Sequence, residues 1–364
     1  MFWLILAFPL IWPVLAKAIF RHSINFQEFA LQIGVCTLLC VGTWYGGIAA
    51  KTHDVEILNG EVTGKYSEHV SCEHSYSCRC HTVGKGNDAH QECDTCYDHS
   101  YDVSWYVATN LGDIKIDRVN RRGDLEPPRF TTVQVGEPAS IDHSYTNWVK
   151  AADKSLFHAD PILALKYQGK LPDYPGVIYD YYRINRVITS GMSVAGIDQW
   201  NTDLSTVLEK LGPARQVNSV IVFTNDASPD FADALRAYWM GGKKNDLVTV
   251  IGTPHFPDIE WARVFSWSKD PTVDIEIRDQ LQELGSAADR SKVIGIIANE
   301  IRAHFVRRPM ADFEYLKSEI DPPTWVVVMM AIFAIPGSLF LTWFFYRNDI
   351  DFTQPRGFRI NRTR

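Results

Sequence analysis

Three long apolar stretches, residues 2–20, 29–50 and 323–346, set the first constraint on this chain. Each is long enough to cross a bilayer as a helix, which takes about 20 apolar residues. The block between the last two, residues 51–322, is water-soluble in character. Trp3, Trp12, Trp44, Tyr45, Trp325, Trp343 and Tyr346 sit mostly near the ends of the stretches, where interfacial aromatics belong. The pattern predicts a soluble block tethered to a lipid bilayer.

The flanking charges predict an orientation. Lys17, Arg21 and His22 lie in or beside the short link between the first two stretches. Arg347, Arg356, Arg359, Arg362 and Arg364 lie in the tail after the third. Short basic segments stay on the cytoplasmic side. If all three stretches span, both segments share that side and the soluble block faces away from it. In a bacterium this predicts a multi-pass protein of the inner (plasma) membrane with a periplasmic domain. The alternative, a cleaved signal peptide over 2–20, fits poorly with Pro9, Pro13, Lys17 and the lack of a basic start.

The soluble block has roughly 270 residues, enough for two domains at about 100–150 each. The expected division is 1–50 for two spans and their cytoplasmic link, then 51–186 for a β-rich head. An α/β domain follows over 187–318, a third span over 323–346 and a basic tail over 347–364. The fold class expected is α+β. The net charge of -7 and the absence of a long basic run exclude nucleic acid as an expected partner. The Arg-rich tail, beside a membrane, suits anionic headgroups.

Seven cysteines are present. Cys36 and Cys40 stand one helical turn apart in the second stretch and read as packing residues. The other five crowd into CEHSYSCRCHTVGKGNDAHQECDTCYDH, residues 72–99, with His74, His81, His90 and His99. Segments 56–69 and 101–116 on either side alternate apolar and polar residues like strands. The loop is therefore expected at the tip of a long hairpin. Cys78-x-Cys80 and Cys93-x-x-Cys96 supply four ligands in two pairs, as a tetrahedral zinc site requires. Disulfides are the rival reading, favoured by the expected compartment, and five cysteines leave one thiol over. Both readings are structural. So polar a loop buries no core of its own and needs a staple.

From residue 187 strands and helices alternate, which predicts an α/β layered domain. Residues 217–224 and 246–252 read as buried strands; 198–211, 229–240, 275–284 and 292–305 read as helices. Residues 260–267 read as a further strand. The segment VIVFTNDASPDFADALRAYWMGGKKNDLVTVIG, residues 220–252, resembles the TPM domain. That family has a strand, an acidic turn and a helix ending in Trp-x-x-Gly plus a basic residue. An Asn-containing turn and a hydrophobic strand follow. Trp239, Gly242, Lys243, Lys244, Asn245 and Asp246 match. The resemblance covers about residues 187–315 and implies a domain anchored by the span that follows it. The family's usual Gly-rich, acidic continuation is replaced here by PHFPDIEWARVFSWSKD. The Cys/His loop and the EPPRF run lie outside the TPM pattern and resemble membrane proteins of tailed phages, which implies a phage-encoded protein acting at the host inner membrane.

Asp226, Asp230 and Asp246 fall near strand ends, and three carboxylates together can bind a hard cation such as calcium or magnesium. Read locally, Asp226 and Asp230 are turn and capping residues, and the sequence favours that. Lys243 and Lys244 are expected to be exposed at the turn. No phosphate-binding loop, Gly-x-Ser-x-Gly elbow or His-Glu-x-x-His helix is present, and no nucleophile is assigned. The function expected is non-enzymatic: an envelope protein presenting its TPM-like domain to a protein partner. The alternative is a metal-dependent phosphatase of the TPM type.

Overall fold

A computed structural model describes residues 2–21, 23–84, 90–152, 161–351 and 359–362. His22, Arg356 and Arg364 of the expected basic segments lie outside these residues, as does the end of segment 145–157, whose sequence reads as helical. The fold mixes α and β, as expected. It divides into two compact units, one of residues 1–54, 146–155 and 313–364, the other of 55–145 and 156–312.

In the first unit, helices Phe2–Ile19, Phe26–Thr52 and Thr324–Arg347 are long and apolar enough to cross a membrane. The second opens with a reciprocal cap. The Asn25 side chain accepts from the Glu28 amide, and the Glu28 carboxylate accepts from the Asn25 amide. The third is interrupted by a π turn, Phe333–Gly337, around Pro336, which lacks an amide proton for the helical ladder. Gly47 lets the second and third helices approach closely. A Cβ there would stand 2.2 Å from Val326 Cγ2. The buried Gln32 amide donates to the Ser338 carbonyl at 2.8 Å and to Thr342 Oγ1 at 2.9 Å. Trp12 Nε1 donates to the same hydroxyl at 2.9 Å. An unpaired amide in an apolar layer would be costly, so these bonds fix how the helices meet.

The second unit holds two four-stranded sheets. The first is built from β1 (His53–Val70), β4 (Asp102–Thr109), β5 (Gly112–Ile116) and β6 (Pro138–Thr146), in the order β5-β4-β1-β6. Its core gathers Val62, Val107, Ile116, Val133, Ala139 and Tyr182. β1 and β4 are antiparallel, and their ladder ends at the pair Val70–Asp102. The chain between them forms a separate hairpin, β2 (Ser75–Val83) with β3 (His90–Tyr97). The Cys/His loop thus stands at the end of a longer hairpin.

The second sheet contains β7 (Val187–Ser190), β8 (Asn218–Thr224), β9 (Asp246–Gly252) and β10 (Trp261–Ser266), in the order β10-β9-β8-β7. β7, β8 and β9 run parallel, and β10 runs antiparallel to β9. The connections are α1 (Ile197–Arg215) and α2 (Asp230–Tyr238); α3 (Thr272–Leu284) and α4 (Arg290–His304) follow β10. Side chains alternate across a strand, and here both faces are covered. Ile221, Phe223, Leu247 and Ile251 pack under α1, α3 and α4. Val220, Val222, Val248 and Val250 pack under α2. The strands step across the sheet in one direction while α1 and α2 lie on opposite faces. The two crossovers therefore have opposite hand, although such connections are nearly always right-handed.

Trp239 packs with the α2 face of the sheet, and its indole donates to the Pro172 carbonyl at 2.9 Å. The chain then reverses through Met240, Gly241 and Gly242, whose φ angles are 51°, 81° and 76°. Two adjacent glycines suit left-handed backbone that a Cβ would strain. The exposed pair expected beyond them is corrected in part: the Lys244 side chain is only 12% exposed and pairs with the buried Glu56 at 3.2 Å. Glu56 lies far upstream on β1, so nothing near Lys244 in sequence announces it.

Candidate metal centre

Where β1 and β4 part, each contributes two donor side chains. The strand β1 runs out into Cys72-x-His74, and β4 is entered through His99-x-x-Asp102. Cys72, His74, His99 and Asp102 each offer one ligand atom, and all four atoms lie within 4.8 Å of one another. The Cys72 sulfur is 3.4 Å from His99 Nδ1 and 3.9 Å from His74 Nδ1. Asp102 Oδ1 is 3.3 Å from His99 Nδ1, and Oδ2 is 3.2 Å from His74 Nδ1. This cluster can hold a metal ion.

Asp102 is prepared for the part. Its side chain is fully buried. Oδ2 accepts from the Glu73 amide at 2.9 Å and from Arg118 at 3.3 Å. The Glu73 hydrogen bond, with His74, Arg118 and His99 nearby, holds the carboxyl below its usual range against the effect of burial. Oδ1 accepts no hydrogen bond, although it is buried. Buried carboxylate oxygens are normally satisfied. An orphaned oxygen facing an imidazole nitrogen and a thiol fits an ion among them. Arg118 also donates to Ser104 Oγ and to the Val103 carbonyl, which fixes the guanidinium behind the carboxylate. Carboxylate ligands are commonly oriented by such partners.

The four cysteines expected to hold zinc are joined in pairs instead. Cys78 bonds Cys96, and Cys80 bonds Cys93. A register shift between Cys78 and His81, with Arg79 at a φ of 45°, sets three residues of β2 against two of β3 and so brings Cys80 level with Cys93, while Cys78, opposite Asp94, reaches Cys96 diagonally. A disulfide sulfur is not a thiolate donor, so the ligand set moves to the hairpin's root. Cys72, the fifth cysteine, remains a buried thiol there. The sequence places Cys72, His74 and His99 among the crowded cysteines and histidines, but its paired spacings assign the ligands to the other four cysteines and miss Asp102. Its signal is the His-x-x-Asp spacing at the start of a strand.

Asp226, Asp230 and Asp246 are not brought together. Asp246 opens β9 opposite Asn218, the first residue of β8, whereas Asp226 follows the far end of β8. The strand alone separates those ends by about 20 Å. Asp226 accepts from the Ser228 amide at 3.0 Å and so serves the turn, whereas Asp230 makes an exposed ion pair with Lys166 at 3.0 Å. Asp246 is fully buried. It accepts from Asn218 at 2.9 Å, Tyr174 at 3.1 Å and the Lys243 amide at 2.7 Å. Burial nevertheless lifts its carboxyl to about 6.

Two further polar groups are buried in this unit. Glu56 receives His143 at 2.9 Å and Lys244 at 3.2 Å, with Arg307, all on Oε1. Arg186 donates to Asn218 at 2.8 Å, to Ser140 at 2.6 Å and to Asn59. Comparison with protein-family models, with curated proteins and with solved structures gave no match.

Proposed function

We propose that this chain is a membrane-anchored envelope protein that presents a TPM-like soluble unit outside the inner membrane and recognises a protein partner through the hairpin β2–β3. The observation that carries the reading is the hairpin itself. Nearly every residue of both strands is exposed, on both faces, and two disulfides cross it. A two-stranded ribbon without a core is marginal alone. Stapled, it is a rigid surface that loses little conformational freedom on binding. Tyr76 and Tyr97 stand out on it, 51% and 56% exposed. Tyrosine is enriched where proteins meet. The disulfides also suit an oxidising compartment, in agreement with the side implied by the basic flanks. The TPM-like reading draws on the order β8, α2, β9 and on Trp239 under the sheet. The phosphatase alternative loses its premise, because its carboxylates stand at opposite ends of a strand.

The test places a photo-crosslinking residue at Tyr76 or Tyr97 in cells, with Lys115 on β5 as control. Discrete adducts are expected from the hairpin positions alone. Protease added to intact spheroplasts should degrade the soluble unit. Hairpin positions that give no adduct, or a soluble unit protected from protease, end the reading.

A further inference from the structure

Five cysteines share residues 72–96, and four of them are oxidised in two disulfides. The fifth, Cys72, sits only six positions before Cys78 and is still a thiol. A left-over thiol, once deprotonated, is a nucleophile toward disulfides within the chain's reach. Something must keep it out of the pairing, and its surroundings say what. Two imidazoles and a carboxylate converge on the sulfur, and one oxygen of that carboxylate is buried and accepts no hydrogen bond, with His99 Nδ1 3.3 Å away.

We propose that Cys72, His74, His99 and Asp102 bind one zinc ion, and that this ion, by holding Cys72 as its ligand, decides which hairpin cysteines pair. The inference rests on the cluster at the hairpin's root and not on the recognition reading.

The donor set selects the metal. One thiolate, two imidazoles and one carboxylate are wrong for calcium or magnesium, which take oxygen. They are right for zinc. With Zn–S near 2.3 Å and Zn–N or Zn–O near 2.0–2.1 Å, a tetrahedron has edges of about 3.6 Å between sulfur and nitrogen and about 3.3 Å between nitrogen and oxygen. The observed separations are 3.4 and 3.9 Å for the first kind and 3.3 Å for the second. Four protein donors fill the four positions, the mark of a structural rather than a catalytic site.

The consequence for pairing is thiol–disulfide exchange. Without the ion, and while the hairpin strands are not yet paired, the Cys72 thiolate attacks the Cys78 sulfur. A Cys72–Cys78 bond forms, the Cys78–Cys96 bond breaks, and Cys96 leaves as a thiolate. No net oxidation occurs. With the ion in place the attacking lone pair is committed to zinc.

The experiment uses the full chain purified in detergent. Zinc is counted by mass spectrometry, and disulfides are mapped on non-reduced peptides. Wild type should carry one zinc per chain and give only the Cys78–Cys96 and Cys80–Cys93 bonds. His99→Ala, and wild type expressed under zinc chelation, should lose the zinc and yield Cys72-linked peptides in a substantial fraction of chains. Cys72→Ser should also lack zinc, yet keep the correct two bonds, because the competing thiol is gone. Zinc-free wild type overturns the site. A single correct map in chelated wild type overturns the pairing role, as does a scrambled map in Cys72→Ser. None of these outcomes alters the crosslinking result, so the recognition reading fails or survives separately.

Discussion

His99 Nδ1 lies 3.4 Å from the Cys72 sulfur, although 27 positions separate the two residues. The β1–β4 ladder makes this possible. It closes at Val70 opposite Asp102 and so delivers both chain ends to one spot. The hairpin beyond that spot is anchored at its root and crossed by its own disulfides, and its described residues are mostly exposed.

Its disulfides should therefore act locally. Closing loops of this length stabilises by about 3 kcal/mol, and β2 and β3 bury almost nothing. Replacing Cys78, Cys80, Cys93 and Cys96 with Ser should make residues 75–97 the first site of limited proteolysis. The denaturation midpoint of the remaining soluble unit should stay put. A large drop in that midpoint would show that the hairpin is part of the core.

Trp239→Ala should cost about 3–5 kcal/mol, since the indole fills the α2 side of the sheet and donates to Pro172. Lys243→Glu, four residues on and half-buried with its ammonium 5.4 Å from the Tyr174 ring centre, should cost clearly less, about 1 kcal/mol. Chemical denaturation of both variants checks the contrast. A stable Trp239→Ala would mean that the indole is not packed as described.

Glu56 is the common counter-charge of Lys244 and Arg307. Glu56→Gln leaves two cations facing each other in a buried site and should cost about 3–5 kcal/mol. Lys244→Met removes only one of the three partners and should cost clearly less. In the double variant the losses should not add, because the repulsion is relieved. Simple additivity in denaturation would break the assigned hub.

Asp246 provides a pH test. Its carboxyl is raised by burial to about 6, against about 3.9 in an unfolded chain. Between those values the folded protein keeps a proton that the unfolded chain has released. Stability contributed by this group therefore falls as pH rises through about 4 to 6, by about 3 kcal/mol at roughly 1.4 kcal/mol per unit. Asp246→Asn should lack that fall, whatever its own stability. The check is the difference in unfolding free energy between wild type and variant from pH 4 to 7. A flat difference rejects the raised carboxyl.

Much of the second sheet could be read ahead of the structure. Val220–Phe223 is apolar on both faces, which marks a strand covered twice, and β9 has the bounds its pattern predicted. Both signals are local. The misses are long-range. Disulfide pairing in the hairpin depends on a register shift at Arg79, which no spacing rule supplies. Asp102 looks like an ordinary strand-entry residue until β1 brings Cys72 beside it. Lys244 looks like a solvated turn residue until Glu56 arrives from another sheet. Metal ligands and buried ion pairs are properties of convergence, and convergence is set by pairing between distant segments.

Arg186 has a consequence for how this protein can be taken apart. Its guanidinium donates to Asn59 on β1 and to Asn218 on β8, one residue from each sheet. The boundary suggested by the sequence, between 186 and 187, runs through that junction. Severing the chain there to obtain a free-standing α/β half would strand either a buried cation or its acceptors. Neither half is therefore expected to fold by itself. The two sheets should melt in a single cooperative transition, and fragments from either side should regain structure only when mixed.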